Sequence, residues 1–226
     1  MGKVNGEKTA SFIRVEGILF KKALLSFSAY LAANSPGLTE RVFKLGQALF
    51  LAPASRLIET GDRSLSNRLN ALILKDLSQD RIEVLAEEYF ESILKDRVLE
   101  DGFDLVRRVE KEGHQIILYS DELEITLLPF ASRLKGIGRL FGNRLEFKDG
   151  IATGRLEEPI IGGFNGNRDL LQKAQNEGID LARSSAYGIC SADLPLLQSV
   201  GNPCAVNPDF VLRRTAREAD WPVMEY

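Results

Sequence analysis

Apolar and polar positions divide the chain into an opening strand, a long helical block, and then strands alternating with helices. Ser11 to Leu19, reading Ser-Phe-Ile-Arg-Val-Glu-Gly-Ile-Leu, is a short apolar strand that turns polar at its end and meets Gly17. Phosphate- and nucleotide-binding α/β units commonly begin this way. No strand-like alternation follows between Phe20 and Leu99. Leu24, Leu25, Phe27, Tyr30 and Leu31 have helical spacing over Phe20 to Asn34, closed by Asn34-Ser-Pro-Gly. Leu38 to Ile58 reads as a second helix, interrupted at Pro53, and Ser64 to Leu77 and Asp80 to Leu94 as two more. Asp80 and Glu83 have capping-box spacing, which predicts Asp80 as the N-cap.

From Glu100 onward the pattern changes. It predicts a helix at Gly102 to Glu112, a strand at Gln115 to Tyr119, a helix at Leu123 to Leu134 and a hairpin from Leu145 to Leu156 that turns at Asp149-Gly150. Helices at Arg168 to Asn176, Leu194 to Val200 and Asp209 to Glu218 then alternate with strands at Ser184 to Ile189 and Cys204 to Val206. Such an order predicts an α/β fold whose mainly parallel sheet is covered on both faces, with sites at the carboxyl ends of the strands. The expected division is a core of residues 10–20 and 100–226 and a small helical cap of residues 21–99, inserted after the first strand.

Composition narrows the chemistry. At 226 residues, 44% hydrophobic and 27% charged, the chain is long enough for one α/β core and an accessory module. A formal charge of −3 offers no general attraction to nucleic acid or anionic lipid, so no nucleic-acid partner is expected. The first nine residues lack the apolar region of a secretory signal, and no apolar run is long enough to span a bilayer, which makes the cytoplasm the expected compartment. Cys190, Cys204 and the single His114 are too few for a zinc site. Cys190, after an apolar strand, reads as a small buried hydrophobe, and His114 as a residue at a helix end or facing solvent. The acidic run Asp121-Glu122-x-Glu124 reads as the start of a helix, where the dipole favours carboxylates. The apolar stretch from Val42 to Ala54 reads as packing within the cap, or as a partner surface if it is exposed.

The C-terminal third carries a specific pattern. It reads Tyr187-Gly-Ile-Cys-Ser-Ala-Asp-Leu-Pro-Leu-Leu, then Val200-Gly-Asn-Pro-Cys-Ala-Val-Asn-Pro-Asp209, then Ala216-Arg-Glu-Ala-Asp-Trp-Pro-Val223. With the opening strand and the helical insertion, this resembles the phosphoserine-phosphatase-like branch (subfamily IB) of the haloacid dehalogenase-like superfamily over nearly the full chain from Ser11. The resemblance implies a Rossmannoid three-layer core with a helical cap. It also implies an aspartate nucleophile and an acid/base aspartate at the first strand end, a Ser or Thr at the second, a lysine, and a final Gly-Asp-x-x-x-Asp that helps hold magnesium.

Against that pattern the chain has Arg14 at the nucleophile, Glu16 at the acid/base and Ile18 at a threonine. Ser120 is kept. The lysine position falls at Gly166 or Asn167, with Arg168 the nearest cation but turned about a hundred degrees around the helix. Gly188-Ile189-Cys-Ser-Ala-Asp193 replaces the first metal-binding aspartate with Ile189 and keeps Asp193. Phosphoryl transfer by this route requires a carboxylate nucleophile and a hard cation on oxygen ligands. The expectation is therefore a pseudophosphatase with no catalytic residues and no magnesium, in which Arg14 fills the cation space and pairs with Asp193 or Glu16, serving as a binding, scaffold or regulatory protein. One alternative is a phosphatase of small phosphomonoesters acting by an altered mechanism. Another is a metal-independent sensor in which Arg14, Ser120 and the amides around Gly17 and Gly166 bind a phosphorylated small molecule. The expected partner is accordingly a protein or such a phosphorylated ligand.

Overall fold

The computed structural model describes residues 8–21, 27–34, 63–131, 137–162 and 164–226. The helix expected at Leu38 to Ile58 and the apolar stretch from Val42 to Ala54 lie outside the described residues. Six strands form one sheet: β1 (Ala10–Arg14), β2 (Gln115–Leu123), β3 (Ile137–Asn143), β6 (Ser185–Gly188), β7 (Asn202–Val206) and β8 (Val223–Met224). Their order is β3-β2-β1-β6-β7-β8, and every pairing is parallel. The chain therefore winds outward from β1 first to one side and then to the other, which opens a crevice at the carboxyl ends of β1 and its neighbours.

β1 is buried along its whole length, as a central parallel strand must be when helices cover both faces. Phe12 points into one apolar cluster and Ile13 into the other. On the Ile13 side lie α4 (Glu100–Lys111), through Leu105 and Val109, and α5 (Glu124–Ala131), through Leu127 and Phe130. On the Phe12 side lie α6 (Phe164–Asn176), α7 (Leu194–Leu197) and α8 (Phe210–Glu218), through Leu170, Leu196 and Leu212. Each such side chain contributes roughly 1.5–3 kcal/mol by leaving water. Acidic Glu100 and Asp101 open α4 while Arg108 and Lys111 close it, in the sense that the helix dipole favours.

The described helices between β1 and α4 are α1 (Phe27–Ala33), α2 (Ser64–Leu72) and α3 (Gln79–Tyr89), the last continuing as a wider turn over Phe90–Leu94. The expected helix does not open at Phe20, which instead bridges to Val98. Ser78, not Asp80, caps α3, because its hydroxyl accepts from the Arg81 amide at 3.3 Å. Phe27 meets Tyr89 edge-on and Tyr30 meets it at a tilt, Phe20 meets Phe130 edge-on, and Phe27, Leu31, Ile82 and Leu85 of these helices share the Ile13 cluster of the core.

The predicted hairpin is present as β4 (Leu145–Lys148) and β5 (Ile151–Leu156), a separate two-stranded sheet. It adds backbone bonds to the helical block: Asp76 N to Ala152 O, Ala152 N to Leu77 O and Gln79 N to Gly150 O. Two strands had no counterpart in the sequence reading. β3 carries two glycines and an Arg in place of alternation, and β8 is only two residues long. No helix of the described residues is long and apolar enough to cross a membrane.

Candidate functional site

Arg14 ends β1 in register with Tyr119 of β2, and only 1% of it is exposed. A guanidinium in that position cannot be hydrated, so carboxylates must meet it. Nη1 donates to Asp193 Oδ1 at 2.7 Å, Nη2 lies 2.6 Å from Asp121 Oδ1, and Nε lies 3.4 Å from Glu16 Oε2. The first is a directed hydrogen bond. Among the described residues Nε and Nη2 have no aligned acceptor, so the other two contacts are chiefly electrostatic. Burial alone would lower the Arg14 pKa, but Asp121, Asp193 and Glu16 hold it well above its ordinary value.

Asp193 is fully buried and also accepts from the amides of Ile189 and Cys190 at 2.8 and 3.2 Å. The turn after β6 is thus wound around this carboxylate. Burial would raise the Asp121 carboxyl, yet Arg14 and Arg63 hold it well below the usual range. Arg63, just before α2, donates from Nη1 to Asp121 Oδ2 at 2.5 Å. Glu16 goes the other way: burial first, then the charge on Asp121, pushes it up to about 8. With Glu16 protonated, the guanidiniums of Arg14 and Arg63 face the side chains of Asp121 and Asp193. The Ser120 hydroxyl donates to Glu16 Oε1 and accepts from the Glu122 amide at 2.9 Å.

The structure brings Arg14, Glu16, Ser120 and Asp193 together and places the other candidates around them. Gly17 has a φ of +76°, and a Cβ there would lie 2.9 Å from Ile189 Cδ1, so Ile189 closes directly over the first turn. The Gly17 amide is already bonded to Phe20 O at 2.7 Å. Asn167 is buried and donates to Ala192 O at 2.7 Å, while its Oδ1 has no hydrogen-bond partner among the described residues. Gly166 lies apart from this group. Its α-carbon abuts the Ile160 carbonyl so closely that a Cβ would come within 2.1 Å, and it lines a separate cavity of about 220 Å³ beside β3.

Two members of the network escaped the sequence reading. Asp121 belongs to β2, which runs four residues past the expected end, and is not the opening of a helix. Arg63 pairs with a residue 58 positions away, and no local pattern announces it. Burial lifts the Cys190 thiol to about 12, in keeping with an unreactive side chain. His114, half-buried, bonds through Nδ1 to Ser11 Oγ at 2.9 Å and is not at the centre.

A doubly wound parallel sheet, with its polar cluster at the ends of β1, β2 and β6 and helices inserted after β1, fits the class of haloacid dehalogenase-like hydrolases. The model of that family, haloacid dehalogenase-like hydrolase, matches residues 21–198, and the chain belongs to it. A phosphoserine phosphatase of Mycobacterium tuberculosis strain H37Rv is 29% identical over 167 residues, 74% of this chain and 54% of that protein. The chain spans about half the length of this and the other first mycobacterial relatives. An inhibition of morphological differentiation protein from Streptomyces azureus is 26% identical over 223 residues, covering 97% of this chain and 79% of its own.

Among solved structures, a protein of unknown function from Bordetella pertussis Tohama I superposes with a TM-score of 0.79 at 20% identity, covering 96% of this chain and 98% of that one. A substrate-bound phosphoserine phosphatase gives 0.68 at 21%, covering 98% and 95%. At these identities the two superpositions speak for the fold alone.

Proposed function

We propose that this chain is a catalytically inactive member of its family, kept as a binding, scaffold or regulatory protein. One observation carries the reading: the side chain at the end of β1 is a buried guanidinium enclosed by Asp193, Asp121 and Glu16. A guanidinium has no lone pair to offer phosphorus and stays protonated under all ordinary conditions. No carboxylate stands in its place as a nucleophile.

The residues present also do not suit magnesium. That ion demands several oxygen ligands in near-octahedral array. Here Asp193 and Asp121 are committed to Arg14, Glu16 favours its protonated form, and Ile189 presents methyl groups. The donor set therefore supports a centre neutralised from within. An anion sensor built on Arg14 has less support, because the guanidinium, the Ser120 hydroxyl and the Gly17 amide all have internal partners.

The test is hydrolysis of a general phosphomonoester by purified protein, with and without magnesium, beside the Asp193→Asn variant. No turnover above the variant is the expected result. Magnesium-dependent turnover that disappears in Asp193→Asn would establish a rebuilt phosphatase instead.

A further inference from the structure

Asp121 joins the buried Arg14 to the half-buried Arg63, one guanidinium from the core and one from the helical insertion. The junction is reinforced around it. The Arg63 amide donates to Gly162 O at 3.1 Å, and Asn67 Nδ2 donates to Ile161 O at 3.1 Å. Asn143 fixes the other side, donating to the carbonyls of Asp121 and Ile161 at 2.7 and 3.0 Å and accepting from the Ile161 amide at 2.8 Å. Gly162, at a φ of +99°, lets the backbone pass so close that a Cβ would lie 2.8 Å from that of Asp121. The cavity left where α1 and α2 meet the end of β2 measures about 20 Å³, room for about one water.

We propose that Asp121 is an internal anion that latches the helical insertion shut over the strand ends, occupying the place between two guanidiniums that a phosphate or carboxylate from solution would otherwise take. The inference deepens the reading of a self-neutralised centre and rests on it for what the latch covers. Its geometry is separate. Asp121 makes one charge-assisted hydrogen bond, to Arg63, and a close ion contact with Arg14, and so adds to the backbone bond between Arg63 and Gly162 a tie from the insertion to the end of β1. Removing Arg63 should free α2 from the core before it loosens the sheet.

Hydrogen exchange on Arg63→Gln, Asp121→Asn and the parent protein tests the latch. Arg63→Gln is the safer variant, since it leaves Asp121 paired with Arg14. In both variants the α2 amides should exchange roughly tenfold faster, the factor expected for losing a charge-assisted hydrogen bond, and in Arg63→Gln, which keeps the Arg14 cluster whole, β6 and β7 are unchanged. Inorganic phosphate should raise the melting temperature of Asp121→Asn and not that of the parent. Unchanged α2 exchange in Arg63→Gln, or acceleration spread equally over β6 and β7, would overturn the latch. So would a phosphate response equal in parent and Asp121→Asn. None of these readouts is turnover, so hydrolysis would refute the inactive reading without deciding the latch.

Discussion

The two ends of β1 solve the same problem with different chemistry. At its start, the Ala10 amide donates to Ser184 Oγ at 3.0 Å, Ser184 Oγ donates to Asp180 O at 2.6 Å, and Ser11 bonds to His114. Four residues on, Arg14 faces three acidic side chains and leaves Nε, Nη2 and Glu16 Oε2 without aligned partners. The neutral end is satisfied by short bonds between strands and turns. The charged end is held by the balance of its members, and removing one exposes the others to full desolvation. The first arrangement tolerates change in proportion to the bonds lost, whereas the second fails as a unit.

The contrast predicts a ranking. Arg14→Met should destabilise most, by about 3–5 kcal/mol in denaturant unfolding, because Asp193 and Asp121 lose their buried counter-charge. An effect below that of Ser184→Ala would show that the guanidinium is dispensable. Next comes the pH response. Glu16, raised from 4.5 to about 8, holds a proton in the folded protein that the unfolded chain has released between those values. Its contribution therefore falls as pH climbs through that window and is lost above it. Thermal melts across the window should slope downward in the parent and lose that slope in Glu16→Gln; equal slopes would refute the assignment. Asp121 acts in the opposite sense, its contribution fading only as pH falls below the ordinary carboxylate range.

At the neutral end, Ser184→Ala should cost about 1–3 kcal/mol by stranding the Ala10 amide, with no change in pH slope. Asn167→Leu should have the smallest effect, within about 1 kcal/mol by denaturant titration. The Ala192 carbonyl loses this donor, which costs stability, but the Oδ1 that no described residue meets goes as well, and the two effects offset each other in part. A loss as large as that of Arg14→Met would mean Asn167 belongs to the charged unit.

What the sequence made legible follows the range of the forces involved. β1, the start of β2, the hairpin, β6, β7 and α8 each carry a local pattern: an apolar run, an Asp-Gly turn, or, for α8, helical spacing from Asp209, which the structure shows to be the cap that accepts from the Leu212 amide. Arg14 and Asp193 could be placed at one centre because a family pattern fixes both positions. β3 could not be read, since Ile137-Gly-Arg-Leu-Phe-Gly-Asn has no alternation and is a strand only because it pairs with β2 along the sheet edge. Asp121 was misplaced for a related reason: pairing across the sheet carries β2 past the last apolar residue of its run. Arg63 becomes informative only when the chain folds back.

The bonds between the β4–β5 hairpin and the entry to α3 also bear on the order in which the molecule can be completed. Leu77, Asp76 and Gln79 leave the ribosome long before Gly150 and Ala152, yet the Asp76 and Gln79 amides and the Leu77 carbonyl are paired only when those later residues arrive. Until then the early helical block has unpaired groups at its outer edge and must wait, exposed, for a partner made later. Such distant pairing slows assembly and lengthens the time spent half-finished. In this chain the insertion is an early-made part that the last half of the protein has to finish.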